Sequence, residues 1–206
     1  MVNTFLAHDL LWGMTPEQLP AQAPAWVIES ISAGQPVVVR RAVSTPGFIA
    51  VGVRGRLREQ RYATVMAVDA LQRRVTPETL CHVSIDRDLP AVQALNQLRP
   101  LLDGCGWVWG VSGSAGFELA SGVVALHESS DLDLILRTPQ VLERLKAQEL
   151  LTILDRAKCQ VDMQLQTPFG AVALREWAGP ARRVLLKNAS EACLVIDPWN
   201  PQEQAA

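Results

Sequence analysis

Residues 131–136 read Asp-Leu-Asp-Leu-Ile-Leu, two acids two positions apart inside an otherwise apolar run. The run has the hydropathy of a buried strand, where ionised carboxylates rarely sit without a cation or a hydrogen-bonding partner. Side chains alternate along a strand, so Asp131 and Asp133 share one face while Leu132 and Leu134 point into the core on the other. Two adjacent carboxylates repel one another unless a cation lies between them. Mg²⁺ accepts oxygen ligands of this kind and keeps waters or substrate phosphates for the rest of its shell. An isolated Asp-x-Asp is more often the solvated face of a strand, so the neighbouring sequence decides.

Upstream, "GVSGSAG" (110–116) is a small-residue turn between a short strand, "WVWGV", and a helix. Small residues there let backbone N–H groups approach a phosphate, and a helix N-terminus adds favourable partial charge. Ser112 and Ser114 add hydroxyl donors. Downstream, "QVDMQLQT" alternates cleanly, with Asp162, Gln164 and Gln166 on the face opposite Val161, Met163 and Leu165. If this strand lies beside the 131–136 strand, Asp162 becomes a third carboxylate beside the first two. Taken singly, the turn is an ordinary glycine turn and Asp162 an exposed strand residue. Their order along the chain is the specific signal.

The rest of the chain divides in texture. "QPVVVRRAV", "GFIAVGVRG" and "YATVMAV" read as strands, preceded by a helix, "PAWVIESISAG", that stops at Gly34. Beyond "SIDRDLP" the pattern becomes helix, strand, helix, strand. "AVQALNQLRPLLDG" is a helix with Pro100 near its end, and the longest amphipathic helix is expected over "PQVLERLKAQELLTILDRAK", with Pro139 in its first turn. The expected organisation is a β-rich N-terminal domain over 1–88 and an α+β domain over 89–206. The tail "NPQEQAA" reads as disordered.

Composition removes several classes. With 49% hydrophobic and 19% charged residues and a net charge of −2, the chain lacks the basic excess of a general nucleic-acid binder. No apolar run is long enough to cross a bilayer, and the N-terminus lacks the basic segment of a signal peptide, so the expected compartment is the cytoplasm. Cys81, Cys105, Cys159 and Cys193 are too dispersed for a zinc site, and only His8, His82 and His127 are available for a triad. One basic cluster stands out: Arg40, Arg41, Arg54, Arg56, Arg58 and Arg61, which suits an acidic partner, substrate phosphates or a protected edge strand.

The order of Gly113-Ser114 turn, Asp131/Asp133 strand and Asp162 strand resembles the nucleotidyltransferase superfamily, whose palm is the polymerase-β-like mixed sheet with helices. The 16 residues between Ser114 and Asp131, containing "ELASGVVALHES", exceed the usual spacing. With "GSAGFELASG", "LHESSDLDLIL", "VDMQLQTPFGAVALREW", "VLLKN", "HDLLW" and "GVRGRLREQR", the chain resembles the phosphoribosyl-dephospho-CoA transferases, the holo-acyl-carrier-protein synthases of malonate decarboxylase. The resemblance implies transfer of the prosthetic group from 2′-(5″-triphosphoribosyl)-3′-dephospho-CoA to a serine of the acyl carrier protein subunit, with pyrophosphate leaving. It implies Mg²⁺ held by Asp131, Asp133 and Asp162, with Asp162 alternatively the general base, and Gly113, Ser114 and Lys187 on the substrate phosphates. Arg182 and Arg183 are further phosphate candidates, and His127 and Glu128 stand just outside the carboxylates. The alternatives are another nucleotidyltransferase with a small-molecule acceptor, and an inert protein of the same fold kept for binding.

Overall fold

The structure, a computed structural model, describes residues 5–57 and 59–204. These described residues form a mixed α+β arrangement with two sheets and five α-helices. Contacts divide it into two compact units, one running to Thr76 and joined by Ala120–Val123, the other comprising Pro77–Leu119 and the chain from Val124. The boundary expected at residue 88 falls inside the second unit, in the irregular stretch before its first helix.

The first unit is β-rich. Strands β1 (Leu10–Trp12), β2 (Val37–Val39), β3 (Phe48–Arg54), β4 (Arg61–Ala67) and β5 (Arg73–Val75) form one antiparallel sheet in the order β4-β3-β2-β1-β5. Alternation puts Ile49, Val51 and Val53 of β3 on the inner face with Leu11, Val37, Val39 and Met66, and helix α1 (Ala25–Ser32) adds Val27 and Ile31 to that cluster. α1 ends where the sequence places its stop, with Gly34 in the left-handed region at φ 70°. β1 and β5 are three residues each and carry no pattern long enough to read from sequence.

The second unit holds helix α2 (Pro90–Asp103), β6 (Val108–Val111), α3 (Gly113–Ser121), β7 (Leu132–Arg137), α4 (Arg144–Leu154), β8 (Val161–Thr167), β9 (Gly170–Ala173), α5 (Leu174–Ala178), β10 (Val184–Lys187) and β11 (Ala192–Val195). Its sheet runs β11-β10-β9-β8-β7-β6, and only β7 and β8 are parallel, joined by the α4 crossover. β7 is central: Leu132, Leu134, Ile135 and Leu136 are each at most 1% exposed. The short 3-10 turn Pro77–Leu80 belongs with this sheet because Gly110 lacks a side chain. A Cβ at Gly110 would stand 2.6 Å from Pro77, so only glycine admits the turn against β6.

Two elements differ from expectation. α4 begins at Arg144 rather than near Pro139, and α2 is the longer helix. The carbonyl of buried Leu142 accepts the Trp177 indole N–H at 2.7 Å, which holds this backbone group outside the helical ladder. Within the tail, Pro201–Gln204 is a 3-10 turn, preceded by buried Trp199, whose indole donates to the Thr138 carbonyl at 2.7 Å. No helix among the described residues is long and apolar enough to cross a membrane.

Candidate active site

The parallel register of β7 and β8 pairs Asp133 directly with Asp162. Both acids are thus presented on neighbouring strands at the same level, while Leu132 and Leu134, on the opposite pleat, are sealed in the core. Asp131 lies immediately before β7, and the strand is tied in at that point by the Leu132 amide donating to the Gln160 carbonyl at 2.9 Å. Asp131 and Asp133 are partly exposed and Asp162 is exposed. Gln160 orients Asp162, its amide nitrogen standing 3.1 and 3.2 Å from the two carboxylate oxygens.

The Gly-Ser turn meets Asp133 from the other side. The Ser112 amide donates to the Asp133 carbonyl at 2.9 Å, and the Ser112 hydroxyl reaches the same oxygen at 3.4 Å. Gly113 then turns into the left-handed region at φ 60° and opens α3. A Cβ on Gly113 would fall directly on the Asp133 carboxylate. The glycine is therefore required twice, by its backbone conformation and by the acid that fills its side-chain space. Across the sheet the order is glycine turn, Asp133, Asp162.

Other residues named from sequence fall elsewhere. Lys187 ends β10 opposite Ala171, which is opposite Gln166, which is opposite Arg137. That row lies four residues beyond Asp133 and Asp162, about 13 Å along the strands, with β9 and β8 between β10 and β7. The structure thus does not bring Lys187 to the carboxylates. Arg182 and Arg183 are exposed in the segment before β10. His127 and Ser130 close a turn before Asp131: the His127 amide donates to the Ser130 hydroxyl, and the Ser130 amide to the His127 carbonyl, each at 3.0 Å. In the first unit, Arg54 and Arg61 are direct cross-strand partners, and the Arg40 side chain lies over Gly52, two residues before Arg54 on β3. Arg58 lies outside the described residues.

Among the described residues no three His, Cys, Asp or Glu side chains already converge as a metal cage. The donor set nonetheless suits a hard divalent cation, which binds through one or two carboxylates and takes its remaining ligands from water and phosphate. Two aspartates at the mouth of β7, partly open to solvent and beside a glycine turn, meet that requirement.

Sequence reading missed Glu118 and Gln160. Glu118 is 3% exposed in α3 and accepts the amides of Ala125 and Leu126, both at 2.7 Å, and Arg87 at 2.6 Å. Burial pushes its carboxyl up, but the two backbone amides and Arg87 outweigh it and hold the group below its ordinary value. The available signal was a lone acid inside the apolar stretch "FELA".

Comparison with known proteins identifies the family. Residues 6–77 match the family model of the phosphoribosyl-dephospho-CoA transferase MdcG N-terminal domain, and residues 79–198 match that of its C-terminal domain. A Pseudomonas fluorescens protein named phosphoribosyl-dephospho-CoA transferase is 71% identical over 206 residues, covering 100% of both chains. Proteins of the same name from Pseudomonas syringae and Azotobacter vinelandii are 57% and 54% identical, covering 98% and 93% of this chain and 96% and 93% of their own. No solved structure matches the chain. With both domain models matched and identity sustained from end to end, the chain belongs to the phosphoribosyl-dephospho-CoA transferase family.

Proposed function

We propose that this protein transfers the phosphoribosyl-dephospho-CoA group from 2′-(5″-triphosphoribosyl)-3′-dephospho-CoA to a serine of the malonate decarboxylase acyl carrier protein. The observation that carries the reading is the pairing of Asp133 with Asp162 beside the Gly113 turn. The succession β6-α3-β7-α4-β8, with β6 antiparallel to β7 and β7 parallel to β8, supports a polymerase-β-like nucleotidyltransferase palm.

In this reading the serine hydroxyl attacks the α-phosphorus, a P–O bond forms to the serine, and the α–β bridging P–O bond breaks to release pyrophosphate. In-line displacement places the entering and leaving oxygens on opposite sides of the phosphorus. The backbone of Gly113 and Ser114 receives the β- and γ-phosphates on one side of Asp133, and Asp162 stands on the other, where the serine enters. Asp162, oriented by Gln160, takes the serine proton at a carboxylate oxygen. Mg²⁺, held by Asp131 and Asp133, would neutralise charge on the departing pyrophosphate. No protein nucleophile is needed, since positioning and electrostatics supply most of the acceleration. Arg40, Arg54 and Arg61, gathered on one sheet face of the first unit, suit attraction of an acidic carrier.

The test is to incubate the protein with Mg²⁺, the triphosphoribosyl precursor and apo carrier, and to weigh the carrier. The expected result is a mass gain of one phosphoribosyl-dephospho-CoA group and stoichiometric pyrophosphate. Absence of any gain, with turnover of ordinary nucleoside triphosphates instead, would replace this reading with a different nucleotidyltransferase.

A further inference from the structure

We infer that Glu118, together with Arg87, is a positioning residue that sets Asp131 at the mouth of β7. This rests on the reading of Asp131 and Asp133 as the cation-holding pair.

A carboxylate buried to 3% exposure in a helix is expensive unless its oxygens are matched by donors. Here they are matched by the segment that leads to Asp131. One oxygen accepts the amides of both Ala125 and Leu126 at 2.7 Å, and the other accepts Arg87 at 2.6 Å. Arg87 also reaches the Leu126 carbonyl at 3.3 Å, so Leu126 is gripped through its N–H and its C=O together. Leu126 itself is 3% exposed. Only the His127–Ser130 turn separates this clamp from Asp131, and that turn is closed by two hydrogen bonds with Ser130 buried.

The same helix governs the other aspartate. α3 begins at Gly113, whose α-carbon faces the Asp133 carboxylate, and carries Glu118 one turn further on. One rigid element thus abuts Asp133 with its first residue and fixes the approach to Asp131 with its sixth. The long interval between Ser114 and Asp131 is held midway rather than spanned as a free loop.

The test compares the parent with Glu118→Gln, in which one oxygen acceptor becomes an N–H₂ donor aimed at other donors. Expected are faster amide exchange at Ala125 and Leu126, a kcat lowered at least about tenfold with little change in the precursor KM, and Mn²⁺ affinity weakened by about tenfold or more. Arg87→Ala, which leaves both carboxylate–amide bonds in place, should shift the same quantities less, and Arg87→Lys should restore part of the loss. It also replaces Glu118→Gln as the probe should that variant fail to fold. Leu98→Ala, a core truncation in the same unit, should lower the melting temperature without moving Mn²⁺ affinity. Equal Mn²⁺ affinity in parent and folded variants overturns the inference, whatever the exchange rates show. Mn²⁺ binding is measured without transfer, so weakened Mn²⁺ in Glu118→Gln supports the positioning role even where the transfer assay fails, and that failure then counts against the proposed reaction alone.

Discussion

The α-carbon of Gly113 faces the carboxylate of Asp133 so closely that no side chain can stand between them. The contact brings the glycine turn against the acid strand, so two motifs separate in sequence are neighbours in the fold. Gly113→Ala must adopt φ near 60° with a Cβ, worth about 1 kcal/mol, and must also displace Asp133. Transfer is expected to fall by about 10² or more with the far-ultraviolet circular dichroism unchanged. A variant as active as the parent would separate the turn from the chemistry.

Asp131→Asn and Asp133→Asn each keep the shape of the mouth of β7 and remove one unit of charge. The expected loss in kcat is about 10²–10³-fold, near 3–4 kcal/mol of transition-state stabilisation. Pyrophosphate release against Mg²⁺ concentration reads this directly, and partial recovery at high Mg²⁺ is expected if the carboxylates hold the ion. Equal activity in both variants would favour an inert binding protein.

Glu118 gives an acid-stability signature. Its folded carboxyl lies below the ordinary value of 4.5, so its contribution to stability is fully present above that value and is lost as the pH falls through the lower, folded one. The stability gap between the parent and Glu118→Gln should therefore be constant toward neutrality and shrink below about pH 4.5. Urea midpoints measured across that range check the sign.

Cys81 is expected to be inert. Burial first, then the charges of Asp103 and Glu78, push its thiol up to about 12, and it donates to the Trp109 carbonyl at 3.0 Å. At pH 8 only about 10⁻⁴ of it is thiolate. Cys105 and Cys193, both partly exposed, should react with iodoacetamide first. Cys159 should lag, because burial and the charge of Asp131 raise its thiol. Mass mapping after brief alkylation decides the order.

In the first unit, Arg74 meets the wholly buried Asp9 at 2.7 Å. Arg74→Met leaves that carboxylate without its guanidinium, and a loss of about 3–5 kcal/mol in unfolding free energy is expected. Chemical denaturation measures it. A loss below about 1 kcal/mol would mean solvent reaches Asp9.

The local pattern alone determined that 131–136 is a buried strand bearing acids, that a glycine turn opens a helix before it, and that "VDMQLQT" alternates, because hydropathy period and glycine placement are properties of a few consecutive residues. The α+β character and the β-rich first unit were legible for the same reason. Only the tertiary structure decided that β7 and β8 are parallel neighbours in the register that sets Asp133 against Asp162, since pairing partner and register depend on how remote segments pack. It also put Lys187 far along the sheet, a consequence of β10 pairing with β9 rather than with β7. The lone acid in "FELA" was visible, but the partners of Glu118 were not, because Arg87 and the Ala125–Leu126 backbone come from either side of it in sequence and meet only once α3 is folded and packed.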